Sequence, residues 1–361
     1  NPYHYRDEQA VGMIEEADKI FGKRGLFCLT GVQDMWYNSV YQIQGLQRRK
    51  QDFLERAECF LMIPDILGYF LTGNRSIEYS SASTTQMYDL QQKTWSENIC
   101  RKLGLDLKLL PEVVMTGAFK GNFSPKIKRM IGLPDEKEIR LTAAAGHDSA
   151  SAAYAVPAKE KNYIFISSGT WSVIGKLLEE PLITNEIYDR GYSNEGAAFG
   201  KIKLVKSIMG MWLIQELRKC WKNQGKKIDY GYLTEESEKA DAFSHMINVD
   251  DELFVAPLDM EMAINQYCIR TQQTVMEKQG QFYRAVMESL AFKYREAIQD
   301  LENIVGETVD TIYLLGGAVQ DRAFCRYIAN ATGKRVSAGP VEATAIGNAM
   351  IQMKALGYLE D

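Results

Sequence analysis

Residues 163–178 hold the feature that most restricts the fold. An apolar run at 163–167 meets the turn Ser168-Gly169-Thr170 and returns over 171–178, which predicts a β-hairpin. A third strand is expected over 199–205, followed by a helix from Ser207 to about Trp221. Residues 280–305 then set Val286, Leu290, Tyr294, Ile298 and Leu301 at helical spacing, the mark of a long amphipathic helix. Residues 311–315 read as a strand ending at Gly316-Gly317, 322–331 as a helix and 335–338 as a strand. A last helix spans 343–356, with Gly347 placed for close packing. A hairpin followed by alternating helices and strands leaves an α/β sheet domain as the economical solution.

That order suits a domain of the ribonuclease-H-like kind, and the first half of the chain has room for another. Residues 8–21 place Val11, Ile14, Ala17 and Ile20 on one helical side, closed by Gly22 and Gly25. Residues 36–51 repeat the spacing with Tyr37, Val40, Ile43 and Leu46, and Pro64 suits the first turn of a helix starting near Ile63. A segment rich in Ser, Thr and Asn covers 72–86, an amphipathic helix is expected over 95–103, and 105–114 reads as a linker into the next strand. A strand over 139–145 should end at Gly146-His147-Asp148 and lead into a helix of small residues, 149–155. The polar, proline-marked stretch 157–162 is where a boundary is expected, giving domains 1–157 and 158–361. A length of 361 residues accommodates two such domains.

Charge narrows the function. Forty-two Lys and Arg against 47 Asp and Glu give a net charge of −5, which argues against nucleic acid or a membrane surface as the main partner. Six cysteines, Cys28, Cys59, Cys100, Cys220, Cys268 and Cys325, form no C-x-x-C pair and read as reduced thiols. Three histidines make a His-rich metal site improbable, and His4 and His245 are expected at the surface. No apolar run is long enough to span a bilayer and no secretory leader is visible, so a cytoplasmic protein is expected. Without a coiled-coil seam, a monomer is expected. Asn1 is not expected to be the natural first residue.

Four places could carry chemistry. Asp148, at the end of a strand, could accept a proton from an attacking hydroxyl, although capping the following helix is the commoner use of such a residue. Ser167-Ser168-Gly169-Thr170 could turn backbone N–H groups and hydroxyls toward phosphate oxygens, or be a plain hairpin turn. It is not a Walker loop, since no Gly-Lys-Ser/Thr follows. Gly316-Gly317 could admit a ligand to the backbone, or serve only packing. Ile208 to Gln215 reads as a core helix filled by Met and Trp, with Gln215 more simply solvated than ligand-binding. His147 by itself is more simply structural than catalytic. No G-x-G-x-x-G follows a strand, which disfavours a dehydrogenase.

The wording of these motifs in their order resembles the FGGY family of carbohydrate kinases. The resemblance is carried by Ala145-Gly146-His147-Asp148-Ser149-Ala150-Ser151-Ala152, Ile166-Ser167-Ser168-Gly169-Thr170-Trp171-Ser172, Ser193-Asn194-Glu195-Gly196, Ile208-Met209-Gly210 through Gln215, and Leu315-Gly316-Gly317. Ala338-Gly339-Pro340-Val341-Glu342-Ala343-Thr344-Ala345-Ile346-Gly347-Asn348 completes it. Upstream, Tyr5-Arg6-Asp7, Thr30-Gly31-Val32-Gln33 and Leu71-Thr72-Gly73 add to it.

The resemblance implies two actin-like domains around a cleft and transfer of the ATP γ-phosphate to a keto-sugar, with Mg²⁺. L-rhamnulose is the implied sugar; L-fuculose or D-xylulose are alternatives within the class. It places Asp148 as general base, Gly146, His147 and Ser207 at the sugar, and Thr170, Gln215 and Gly317 at ATP, with no protein metal ligand assigned. Such families open with strands bearing an Asp-x-Gly phosphate loop that is not found ahead of Asn1. The first domain is therefore expected to be truncated, and this chain alone to turn over weakly or not at all. Ser207 replaces a usual Asn, and Ala318 replaces a frequent third Gly. A non-catalytic sugar or nucleotide sensor, or a purely structural actin-like scaffold, would have no need of Asp148.

Overall fold

The computed structural model describes residues 8–49, 52, 54–160, 162–226 and 228–359. Its contacts separate two units, one of residues 1–155, 177–205 and 344–361, the other of 156–176 and 206–343. The chain passes between them four times, twice within strands, Trp171–Leu178 and Ile202–Met209.

In the first unit the expected helix over 8–21 is broken. Gly12 takes a left-handed φ of 78°, so a short 3-10 turn at Glu8–Ala10 is followed by a separate helix, Met13–Phe21. The break leaves Val11 outside the helix and exposed; within the helix Met13 and Ala17 are buried and Ile20 is exposed. Ser39–Arg49 buries Val40, Ile43 and Leu46 as expected, with Tyr37 outside the helix and exposed. Ile63–Thr72 begins with Pro64 in its first turn, where no intrahelical N–H is needed.

The polar segment that follows is buried rather than solvated. Its strand Ser76–Glu78 pairs in parallel with Glu112–Val114, and its helix Tyr79–Ser83 is capped by the Glu78 carboxylate. Ser80, Ser81, Ser83, Thr85 and Gln86 all lie inside: the Ser83 and Thr85 hydroxyls donate to carbonyls three residues back, the Ser80 hydroxyl to Glu78 Oε2 and the Gln86 amide to the Val32 carbonyl. Beside them Tyr79, Tyr88 and Trp95 stack edge to face. Below this layer runs a buried ion pair: Lys120 Nζ donates to Asp65 Oδ1 at 2.6 Å and to the Ser76 carbonyl at 3.1 Å. The helix Asp148–Tyr154 is built from small residues because another backbone lies against it. A Cβ on Gly347 would stand 1.8 Å from the Ser151 carbonyl oxygen, as the close-packing expectation required.

In the second unit Thr311–Leu315 is flanked in parallel by Ile164–Ser168 and by Arg335–Ala338. Ile164–Ser168 pairs antiparallel with Trp171–Leu178, so the hairpin forms with Ser168 opposite Ser172. The helix Gln279–Val305 buries Val286, Leu290, Tyr294, Ile298 and Leu301, the stripe visible in the sequence. One expected element moves. The third strand is Ile202–Met209, not 199–205, and the following helix is Trp212–Asn223. Gly210 is the break, so Ser207 sits in a strand, exposed, rather than at a helix start. Helices Tyr230–Glu238 and Met260–Arg270, each started by an Asp side chain, escaped the sequence reading because their apolar stripes are weak.

His245 is buried, contrary to expectation, with Nε2 3.0 Å from Thr274 Oγ1 and Nδ1 3.1 Å from Ser244 Oγ. An imidazole paired at both nitrogens can leave water at little cost. His4 and Tyr5-Arg6-Asp7 lie outside the described residues. All six cysteines are free thiols. Among the described residues no helix is long and apolar enough to cross a membrane.

Candidate functional site

In the first unit the strand Arg140–Thr142 leads through Gly146-His147 into the helix that starts at Asp148. Two polar residues hold this approach from beneath. Glu78 Oε2 accepts the Gly146 N–H at 2.9 Å, and Ser80 Oγ accepts the His147 N–H at 3.1 Å. The same Glu78 carboxylate accepts the Ser80 N–H at 2.9 Å and, through Oε1, the Thr116 hydroxyl at 2.6 Å. Gly146 is required by this packing, since a Cβ there would stand 2.3 Å from Ser81 Oγ. Sequence reading did not single out Glu78 or Ser80; they sit in a stretch whose composition resembles a solvated loop.

Asp148 is not the helix cap that local pattern favoured. The N-cap position belongs to His147, which makes no side-chain cap, and Asp148 is the first helical residue. Among the described residues its Oδ1 accepts only the adjacent Ser149 N–H, at 2.7 Å. Its side chain is 80% exposed, so a substrate hydroxyl can reach it. A carboxylate at a helix N-terminus also lies in the favourable field of the unpaired N–H groups.

His147 stands between this carboxylate and a buried charge pair. The hairpin formed by Ser193–Gly196 and Ile202–Met209 sets Glu195 directly opposite Lys203. Lys203, with a side-chain exposure of 0%, donates to Glu195 Oε2. His147 Nδ1 lies 3.2 Å from Lys203 Nζ and 3.3 Å from Glu195 Oε2, while Nε2 is 3.7 Å from Asp148 Oδ1. Burial alone would push the Glu195 carboxyl up; the Lys203 charge beside it holds it well below the usual carboxylate range. The sequence showed Glu195 only as part of a motif, and Lys203 not at all. Alternation along two strands of known register would have paired them.

In the second unit the hairpin turn is fastened from two directions. Ser172 Oγ and Ser168 Oγ lie 2.6 and 3.1 Å from the buried Tyr294 hydroxyl, beneath the turn. Met211 N–H donates to the Gly169 carbonyl at 2.8 Å and Gly210 N–H to the Thr170 carbonyl at 3.1 Å. Gly210 admits this approach, because a Cβ would meet the Gly169 carbonyl oxygen at 2.7 Å. Thr170 and Gln215, both singled out from sequence, come together: the Thr170 hydroxyl donates to Gln215 Oε1 at 3.2 Å, on the first turn of Trp212–Asn223.

The two glycines after Thr311–Leu315 divide the roles left open by the sequence. Gly316 has a left-handed φ of 86°, and a Cβ there would lie 2.8 Å from the Ser168 carbonyl. Around Gly317 nothing lies within 4 Å of an added Cβ, so the backbone there is open to a ligand. Gly316→Ala is therefore expected to destabilise the protein by about 1–3 kcal/mol in denaturant unfolding. Gly317→Ala should change stability by no more than about 0.5 kcal/mol. If Gly317 meets the nucleotide, that quiet variant should nevertheless raise the KM for ATP. Ser207 stands exposed in the same unit, three residues ahead of Gly210. Among the described residues no group of three His, Cys, Asp or Glu side chains is placed to hold a metal ion.

Residues 3–155 match the N-terminal domain profile, and residues 164–356 the C-terminal domain profile, of the FGGY family of carbohydrate kinases. The rhamnulokinase of Bacteroides thetaiotaomicron is 37% identical over 360 residues, covering 100% of this chain and 73% of its own length. That of Oceanobacillus iheyensis is 35% identical over 357 residues, 99% of this chain and 74% of its own. Among solved structures, ligand-bound xylulose kinase from Lactobacillus acidophilus has a TM-score of 0.79 at 16% identity, over 99% of this chain and 71% of that one. Plasmodium falciparum glycerol kinase with ADP has a TM-score of 0.77 at 17% identity, with the same coverages.

Proposed function

This chain belongs to the FGGY family of carbohydrate kinases and is an ATP-dependent sugar kinase, and from that premise we propose that its sugar is L-rhamnulose, phosphorylated at the terminal hydroxyl to L-rhamnulose 1-phosphate. One observation carries the choice of sugar: the likeness to rhamnulokinases runs along the whole chain at 35–37% identity. Sugar contacts are assigned to residues 1–157, through Gly146 and His147, and nucleotide contacts to 158–361, through Thr170, Gln215 and Gly317. Ser207, an exposed hydroxyl in the second unit, is assigned to the sugar as well.

The residues of the second unit suit a nucleotide. Open backbone at Gly317, an exposed hydroxyl at Thr170 and the neighbouring Gln215 amide can meet phosphate or ribose oxygens without rearrangement. Mg²⁺ retains several waters and takes few carboxylates, so it is assigned to the nucleotide's phosphates rather than to a protein cage. When bound there it offsets phosphate charge.

Asp148 accepts the proton of the sugar hydroxyl as that oxygen bonds to the γ-phosphorus, and the bond to the β–γ bridging oxygen breaks. His147, fixed by its backbone N–H to Ser80, orients the sugar beside it. A coupled assay of the purified protein with L-rhamnulose, L-fuculose and D-xylulose tests the assignment. The expected result is a kcat/KM for L-rhamnulose about tenfold or more above the others, the discrimination that one or two hydroxyl contacts supply. A higher value for either competitor would overturn the choice of sugar and leave the kinase class standing.

A further inference from the structure

Lys203 is fully buried beside the reacting residues, and burying an ammonium is costly unless each contact is used. Its opposite strand neighbour Glu195 takes one of its N–H bonds. A second contact, at 3.2 Å, is His147 Nδ1. An ammonium has three donors and no lone pair, so that contact is satisfied only if Nδ1 accepts. Ser149 Oγ, 3.3 Å from the same nitrogen, can donate to it as well. Glu195 Oε2, 3.3 Å from Nδ1, could accept a hydrogen from it, but an Nδ1–H would then face the ammonium 3.2 Å away, which has no lone pair to receive it. Two donors therefore face Nδ1, and the hydrogen of the neutral ring lies on Nε2. That nitrogen is 3.7 Å from Asp148 Oδ1, too far for a direct hydrogen bond.

We propose that Lys203, held in place by Glu195, is a positioning residue that fixes the His147 tautomer. His147 is thereby a hydrogen-bond donor through Nε2 to an oxygen of the sugar beside Asp148. The proposal rests on the reading of His147 as a sugar contact. Without Lys203, Nδ1 would donate to residue 195 and Nε2 would become an acceptor, which disfavours a substrate oxygen that Nε2–H had bound.

The test uses the double variant E195Q/K203M, which removes both buried charges and leaves neither unpaired. Two-bond ¹H–¹⁵N spectra of the imidazoles read the tautomer directly. With three histidines in the chain, H147Q identifies the relevant signal. The expected result is Nε2–H in the parent and Nδ1–H in the double variant. Nδ1–H in the parent, or an unchanged tautomer in a folded double variant, would overturn the proposal. Should the double variant fail to fold, the parent spectrum alone decides.

Kinetics add a second reading. The double variant should lose about 5- to 100-fold in sugar kcat/KM, the kinetic equivalent of one hydrogen bond, with the KM for ATP little changed. Glutamine at 147 carries an amide donor whatever its neighbours do, so in the H147Q background the same double substitution should cost almost nothing further. Equal losses in both backgrounds would mean a structural role only. Because the tautomer is measured without sugar, its outcome is independent of whether L-rhamnulose proves to be the substrate.

Discussion

Asp148→Asn is expected to lower kcat by about 10²–10⁴-fold, the usual contribution of a positioned general base. Folding should barely change. Asp148 is exposed and, among the described residues, bonds only its neighbouring N–H, which an Asn carbonyl oxygen can also accept. The lost helix-terminus charge is worth at most about 1 kcal/mol. Thr170, Gln215 and Gly317 belong to the other unit, so ATP affinity should remain close to that of the parent. Steady-state assay, nucleotide titration and thermal unfolding of the one variant separate these effects. A kcat within about tenfold of the parent would remove Asp148 from the role of base. A sensor would lose none of its biological readout on this substitution, whereas a kinase loses its product.

Lys120→Met is expected to cost about 3–5 kcal/mol, because it strands a buried carboxylate. Asp65 is almost fully buried, and its Oδ2 has no hydrogen-bond partner. Burial already pushes its pKa up, and the Lys120 bond and charge are the chief forces drawing it back. Removing them raises the folded-state pKa further above the unfolded value. The folded state then binds protons more readily than the unfolded one, so stability falls as pH rises between the two values. The deficit of Lys120→Met should be greatest at neutral pH and shrink toward pH 4. Adding Asp65→Asn should recover a substantial part of it. Urea unfolding at several pH values checks both points, and a pH-independent deficit would contradict the argument. The pair also bears on the site: Asp65 accepts the Glu78 N–H at 3.1 Å, and Glu78 holds Gly146, two residues before Asp148.

Much of the second unit was legible because its elements are long or regular. The 27-residue helix Gln279–Val305 carries its stripe unbroken from Val286 to Leu301, and the hairpin at Gly169 is bounded by β-branched and aromatic residues. Where local pattern carried competing meanings, the reading slipped. Ile202–Met209 was misplaced because its apolar residues also fit a helical start, and only Gly210, packed on the Gly169 carbonyl, shows where the strand ends. Val11 was placed on the face of Met13–Phe21 although a left-handed glycine at position 12 cuts it off from that helix. The polar composition of residues 72–86 carried no sign of their burial, because hydroxyls and amides are equally at home in water and in a fully paired interior.

The sequence by itself determined the family, the kinase chemistry and the candidate residues, because these depend on residue types in a fixed order. Asp148, Thr170, Gln215 and Gly317 are all legible in that order. Tertiary structure alone decided which groups surround them. It joined residues 177–205 and 344–361 to the first unit, and so brought Glu195 and Lys203 to His147. It also set Glu78 beneath Gly146 and separated Gly316, which packs, from Gly317, which is open. Those facts turn on strand register and on distances of a few ångströms between residues far apart in the chain, and no local pattern of side chains encodes either.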